Sequence, residues 1–204
     1  MAKVAYSEKE RERVREALVA TGLELMSKQG IQHTTVEQIY KRVGISRTFF
    51  YTFFPTKEDF IVEILYLQQP KLIAYARKLK DDPALSWRNS LTKFLNSLCY
   101  GPKYGILVLK LEEQQFLFKR LTEKSRAVFR EKQFHFFNML LQIWDIDVDM
   151  EQVKLILNLS IITVITSRVS PDMFPFLLPE STNATVAFQV ETLIDYLETL
   201  KKKI

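Results

Sequence analysis

Apolar residues recur at three- and four-residue steps through most of the chain, so the pattern predicts helices. Ser7 and Glu10 have capping-box spacing and open a helix whose Val14, Ala17, Leu18, Thr21, Leu25 and Met26 share one face. It is expected to stop near Gln29, with Gly30 as a left-handed C-terminal cap. Thr34 and Glu37 repeat the capping spacing ahead of Val36, Ile39, Tyr40 and Val43, which form one buried face. Gly44 falls where a tight turn needs positive φ. Ile45 can plug the turn, Ser46 can cap the next helix, and Phe50 and Phe54 continue inward. Pro55 ends that helix, because the residue before a proline is pushed out of the α region. Thr56 and Asp59 open another.

The pattern from Lys57 runs through Phe60, Ile64 and Leu67 and resumes at Ile73 and Ala76, with Pro70 inside it, so a kink or a break is expected there. Asp81, Asp82 and Pro83 close the segment. Ser86 can cap a helix bearing Leu91, Phe94, Leu95 and Leu98, closed by Gly101 and Pro102. A short apolar helix over residues 104–111, extending towards 118, comes next. Residues 122–144 form a long helix with Val128, Phe129, Phe136, Phe137, Leu140 and Leu141 inward, followed by an acidic connector whose Asp149 caps the next helix.

Residues 151–168 are apolar on nearly every side, whereas a helix on a monomer surface shows one stripe of about 100°. After a loop with Pro171, Pro175 and Pro179, residues 183–202 carry Val186, Val190, Leu193, Leu197 and Leu200 at alternating four- and three-residue steps, an a/d seam. One self-contained core does not need both features. A twofold four-helix interface, two helices per subunit, satisfies both, with Ile156, Ile161 and Val164 supplying the first helix's share. A homodimer is therefore expected. Residues 153–169 are broken by Lys154, Asn158, Ser160, Thr163 and Arg168. They fall short of the roughly 20 mostly apolar residues that span a bilayer, so the segment is expected inside protein and no membrane partner is expected.

With 47% hydrophobic residues and only 5 Gly and 7 Pro among 204, composition favours a helical, well-packed protein. The single cysteine, Cys99, excludes an internal disulfide, fits a reducing compartment, and sits in an apolar stretch as a buried, inert thiol. The first 15 residues are polar and charged, unlike a signal peptide, so the expected location is cytoplasmic. Catalytic chemistry is sparse. His33 and His135 have no Cys, Asp or Glu at metal-ligand spacing, the glycines form no phosphate loop, and the adjacent Glu112 and Glu113 point apart on a helix, as a solvated or domain-facing pair. Neither an enzyme, a metal site nor a cofactor is expected.

The charge of +5 permits a polyanion partner. It matters more locally: residues 28–57 carry Lys28, Lys41, Arg42, Arg47 and Lys57 against Glu37 alone, a net +4. The outward side of the helix after Gly44 offers Arg47, Thr48, Tyr51 and Thr52, with no carboxylate. Such a face suits a helix in the major groove, where basic groups meet phosphates and hydrogen-bonding side chains meet base edges. Lys3 and the N-terminus could also reach a minor groove.

The run TTVEQIYKRVGISRTFFYTFFPTKEDF resembles the N-terminal helix-turn-helix of the TetR family of one-component transcriptional regulators, with Thr35, Val36, Ile39, Gly44, Ser46, Tyr51, Phe54, Lys57 and Glu58 at the family's positions. Phe49 departs, since the family usually has Thr, Ser or Asn there; the operator sequence is left open. The resemblance implies that Thr35, Tyr51 and Lys57 hold phosphates of double-stranded DNA while Arg47, Thr48, Phe49 and Thr52 face bases. It implies an all-α fold of about nine helices. A three-helix DNA-binding domain would span residues 1–56, and an effector-binding and dimerisation domain residues 57–204. Pro70 becomes a candidate pivot in the joining helix. The later helices would enclose an effector cavity. Trp87, Phe94, Tyr100, Tyr104, Phe116, Phe134, Phe137 and Trp144 cluster in those helices with Leu98, and Tyr66, Gln133 and Asn158 are candidate polar anchors. Apolar lining with few anchors suits a lipophilic or aromatic effector. The expected function is a ligand-responsive regulator, a repressor released from a palindromic operator. Its alternatives are a structural DNA-binding protein with a filled core and, further off, an α-helical carrier or enzyme for a hydrophobic substrate. Effector, operator, regulated genes and the choice between repression and activation are not readable.

Overall fold

The computed structural model describes residues 6–100, 109, 111–168 and 178–202. Among them it holds ten α-helices and no strand: α1 Glu8–His33, α2 Val36–Val43, α3 Arg47–Tyr51, α4 Lys57–Leu67, α5 Gln69–Lys80, α6 Trp87–Tyr100, α7 Leu111–Arg120, α8 Glu123–Ile143, α9 Met150–Arg168 and α10 Thr182–Thr199. The expected all-α fold is what the chain adopts. Pro70 breaks its helix rather than kinking it: α4 ends at Leu67, Gln68 caps it, and Pro70 lies in the first turn of α5. There a missing N–H removes no intrahelical bond. Tyr104, expected in a short apolar helix and in the effector site, lies outside the described residues, as do Gly101 and Pro102.

Packing divides the chain into two compact units, Met1–Gln68 with Gly105–Ser125 and Gln69–Tyr104 with Arg126–Ile204. By packing, α4 and α7 thus join the N-terminal unit, a different partition from the division expected between residues 56 and 57.

In the first unit, α1 buries Leu18, Val19, Gly22 and Met26 against Phe60, Ile61 and Ile64 of α4, with Ile39, Phe50 and Phe54 completing the core. Ala17, expected on the inner face, is exposed, because the buried stripe runs through Gly22 instead. Ser7 caps α1 with Glu10 as expected. Gly30 has φ 80° and ψ 164°, a region open essentially to glycine alone but not the left-handed cap anticipated. It frees the Ile31 amide, which donates to Glu113 Oε1 of α7 at 2.8 Å. Lys57 Nζ donates to the Ile31 carbonyl at 2.6 Å. Glu113, only 6% exposed, therefore resolves the open reading of the Glu112–Glu113 pair: it faces into the unit. Glu113→Ala should leave the Ile31 N–H buried without its acceptor, at a cost of about 1–3 kcal/mol. Thermal unfolding checks this, and Glu113→Gln, which keeps an acceptor oxygen, should recover most of the loss.

In the second unit, the core joins Ala76 and Leu79 of α5, Leu91, Phe94, Leu95 and Cys99 of α6, Leu140, Leu141 and Trp144, Val153 and Ile156 of α9, and the inner face of α10. Ser86 and Asp149 cap α6 and α9 as anticipated, with Asn89 N–H on Ser86 Oγ at 3.1 Å and Gln152 N–H on Asp149 Oδ1 at 2.8 Å. Val128, expected inward, is exposed. Trp87 Nε1 donates to the Trp144 carbonyl at 2.7 Å. The Arg88 guanidinium fans onto Glu191, Asp195 and Glu198, fastening α6 to α10.

The assignment of the α10 seam needs correcting. Val186, Val190, Leu193 and Leu197, together with Ile156, were expected between subunits, yet each is at most 4% exposed within one chain. They close the chain's own core against α6 and α9. What remains open is the opposite side: Leu155, Leu159, Ile161 and Ile162 of α9 and Phe188 of α10 are 40–72% exposed. Ile161 is thus an open position, while Val164 and Leu200 are half-buried. Only 22% of the apolar window in α9 is buried, although the helix is long and apolar enough to cross a membrane by those two measures alone. The expectation that protein surrounds it on both sides holds for one side within this chain.

Candidate nucleic-acid interface

The turn between α2 and α3 is built locally. Thr35 caps α2 through Gln38: its Oγ1 accepts from the Gln38 amide at 3.1 Å, and the Gln38 side chain accepts from the Thr35 amide at 2.8 Å. The expected pairing of Thr34 with Glu37 was one residue out of register. Thr34 is fully buried and its hydroxyl donates to the Gly30 carbonyl, while Glu37 pairs with Lys41 at 2.7 Å. Gly44 takes the left-handed conformation, φ 78° and ψ 30°, closing α2. Ser46 Oγ accepts from the Phe49 amide at 3.1 Å and starts α3. Phe50 beneath α3 meets Phe54 and Phe60 at 5.6 and 5.3 Å, so the short helix is held by an aromatic floor rather than by its own length.

That floor leaves Arg47, Thr48, Tyr51 and Thr52 exposed, as expected. The Arg47 guanidinium stands 5.8 Å from the Tyr51 ring. Together with Val36, Glu37 and Tyr40 these two residues line a recess of about 220 Å³ between α2 and α3. The Lys41 ammonium beside Glu37 holds its carboxyl below the usual range, and Arg47 adds to this. Glu37 is thus already neutralised by its own helix and leaves the basic groups to set the sign of the face.

Three expected contacts are modified. The Thr52 hydroxyl donates to the Phe49 carbonyl at 2.7 Å, so it faces outward as an acceptor. Lys57 spends one of its three N–H donors on Ile31, and burial lowers its pKa; two donors are left for a phosphate. Phe49, expected at the bases, is half-buried instead. Its ring stacks on Tyr6 at 4.4 Å and meets Phe53 at 5.1 Å, because a large apolar ring gains more from these neighbours than from water. Sequence reasoning missed Tyr6 and Arg11. The available signal was the unusual Phe49 itself, an aromatic in a polar slot that must find a partner.

The candidate effector residues do not share one environment. Phe94 is 3% exposed and packs between Tyr75 and Trp144 at 6.1 and 6.0 Å, a core position. Leu98, Phe134 and Phe137 are partly buried against the same core, and Gln133 is half-buried. Asn158 is exposed on the open side of α9, so it is not an interior anchor. Tyr66 and Phe116 belong to the first unit. Burial pushes the Tyr66 phenol up to about 12, so it stays neutral, and the Arg120 guanidinium covers the Phe116 ring at 4.1 Å. Cys99 is buried, and burial raises its thiol pKa, in keeping with an inert side chain.

A model of the tetR family of bacterial regulatory proteins matches residues 18–64, from the middle of α1 to Ile64 in α4. A HTH-type transcriptional regulator of Bacillus subtilis, YuxN, is 26% identical over 137 residues, 65% of this chain. The match covers 45% of YuxN, so the chain spans less than half of that relative's length. A TetR-family regulator from Pectobacterium atrosepticum has a similar fold, with a TM-score of 0.61 at 16% identity over 97% of this chain and 99% of its own. RolR, solved with resorcinol as ligand, is similar with a TM-score of 0.54 at 14% identity, over 97% and 100% of the two chains.

Proposed function

We propose that this chain is a member of the TetR family of bacterial regulatory proteins, a reading supported by the match over residues 18–64 and by the likeness to YuxN, and that it is a cytoplasmic homodimeric repressor, released from a palindromic operator by a lipophilic or aromatic small molecule. Regulators of this family bind DNA as dimers, and some take small-molecule ligands. The observation that carries the reading is the face of α3: four exposed hydrogen-bonding side chains without a carboxylate, on a helix capped by Ser46 and floored by Phe50. Arg47 and Thr48 read base edges, whereas Thr35, Tyr51 and Lys57 hold phosphates.

The two copies meet through the open side of α9 and α10. Leu155, Leu159, Ile162, Phe188 and Tyr196 line an apolar groove of about 430 Å³ there. A contiguous apolar patch of this kind marks an interaction site, and a second copy offers the same ridge and groove in return. The twofold axis places two α3 helices in successive major grooves, about 34–36 Å apart or a multiple of that. An effector acts by favouring a conformer whose α3 spacing no longer fits. RolR is solved with an aromatic diol, which supports the same ligand class here.

Lys57→Ala should flatten the dependence of log affinity on log salt by about 0.9, the value for one neutralised phosphate, whereas Tyr51→Phe, which removes a neutral donor, should weaken binding to all sequences and leave the slope unchanged. Since Lys57 also braces Ile31, its variant is read at a temperature where it is still folded. An unchanged slope for Lys57→Ala, or an unchanged affinity for Tyr51→Phe, would remove that residue from the phosphate set. A panel of lipophilic and aromatic compounds added to the protein–DNA complex should contain members that release the DNA. Release by none of them would leave a structural DNA binder without an effector.

A further inference from the structure

Phe49 is the position where this chain leaves its family's pattern, and its surroundings assign it work other than base reading. Tyr6, directly before the cap of α1, stacks on Phe49 at an interplanar angle of 23°. Arg11, one turn into α1, holds its guanidinium 4.8 Å from the Phe53 ring and 5.8 Å from the Phe49 ring. Two aromatic rings of the α3 turn thus fix a cation that α1 supplies. Arg15, the next arginine on that side, is neutralised by Glu12 and Glu63. Among the described residues Arg11 has no ion pair. A guanidinium held over aromatic rings spends no N–H donor on them in a conventional hydrogen bond and keeps its donors for an oxyanion.

Position then selects the anion. The major groove is about 12 Å wide and a helix with its side chains about 10–12 Å across. A cation fixed roughly 5 Å to the side of α3's rings therefore faces the rim of the groove, where phosphates lie, rather than its floor. Resting on the proposed DNA-binding reading, we infer that Arg11 takes a backbone phosphate beside the groove entered by α3, and that Phe49 is the positioning residue that holds it there. The aromatic at position 49 replaces a small polar base contact with an additional sequence-independent one.

The experiment uses the full-length protein and the duplex it enriches from a random pool, with binding measured by fluorescence anisotropy over a series of KCl concentrations. Arg11→Ala should flatten the slope of log affinity against log salt by about 0.9 and weaken binding roughly eightfold at 0.1 M salt, the factor that slope implies. Arg11→Lys, which keeps the charge, should restore the slope. Phe49→Leu, which keeps apolar volume but not the stacked ring, should reproduce part of the Arg11→Ala change and add little to it in the double variant. Melting curves accompany every variant. An Arg11→Ala protein that binds with the wild-type slope overturns the inference, whether or not its melting temperature falls, and leaves the DNA-binding reading standing. A wild-type protein that enriches no duplex overturns both.

Discussion

Replacing Ile162 and Phe188 together by Glu is expected to give a folded monomer whose operator affinity has fallen by about 100-fold or more. The two side chains are 51% and 72% exposed in the single chain, so their loss opens no cavity in the core and the carboxylates are hydrated in the monomer. In a twofold interface each new carboxylate would be desolvated twice over, once per subunit, and an unpaired buried charge is strongly destabilising. Without the second subunit, a half-site must be bound singly. The gain from linking two binding events, of order 10²–10⁴, is lost. Sedimentation measures the first effect and operator titration the second. A double variant that remains dimeric would show that copies of this chain associate through another face.

Gly22→Ala is expected to destabilise the N-terminal unit by about 2 kcal/mol or more, as overpacking of a filled core does. In an unobstructed helix the same change would stabilise by up to about 1 kcal/mol, so the sign of the result is informative. A Cβ at Gly22 would lie 2.4 Å from Phe60 Cζ and 2.8 Å from Ile64 Cδ1. The Phe60 ring has little room to retreat, since it is fully buried and meets Phe54 at 4.8 Å and Phe50 at 5.3 Å. Phe50 in turn carries α3, so operator binding should weaken with stability. Chemical denaturation decides it; a variant as stable as wild type would mean that α1 and α4 are less closely packed than described.

Local signals were legible in the sequence because they act over three or four residues. The caps at Ser7, Ser46, Thr56 and Asp149 and the turn at Gly44 all stand where the residues indicated. The register at Thr34 and Thr35 was not, since each threonine has a capping partner three residues on; burial of Thr34 against the Gly30 carbonyl settles which one caps. Periodicity likewise announces that a stripe is buried without saying by what. The α10 seam reads identically as core or as interface, and only the packing of α6 and α9 onto Val186 and Leu197 separates the two. Phe94 was legible as buried, and core packing and effector lining both fitted it for the same reason; its contacts with Tyr75 and Trp144 make it core. Two partners of Phe49, Tyr6 and Arg11, are more than 35 residues away in sequence, beyond any local rule.

Selection of bound duplexes from a random DNA pool by the purified protein tests the reading of α3 and its twofold pairing most directly. Enrichment of an inverted repeat, with half-site centres about one helical turn or a whole multiple apart, is the predicted result. A pool that emerges without any common sequence, or with a lone half-site, would contradict it.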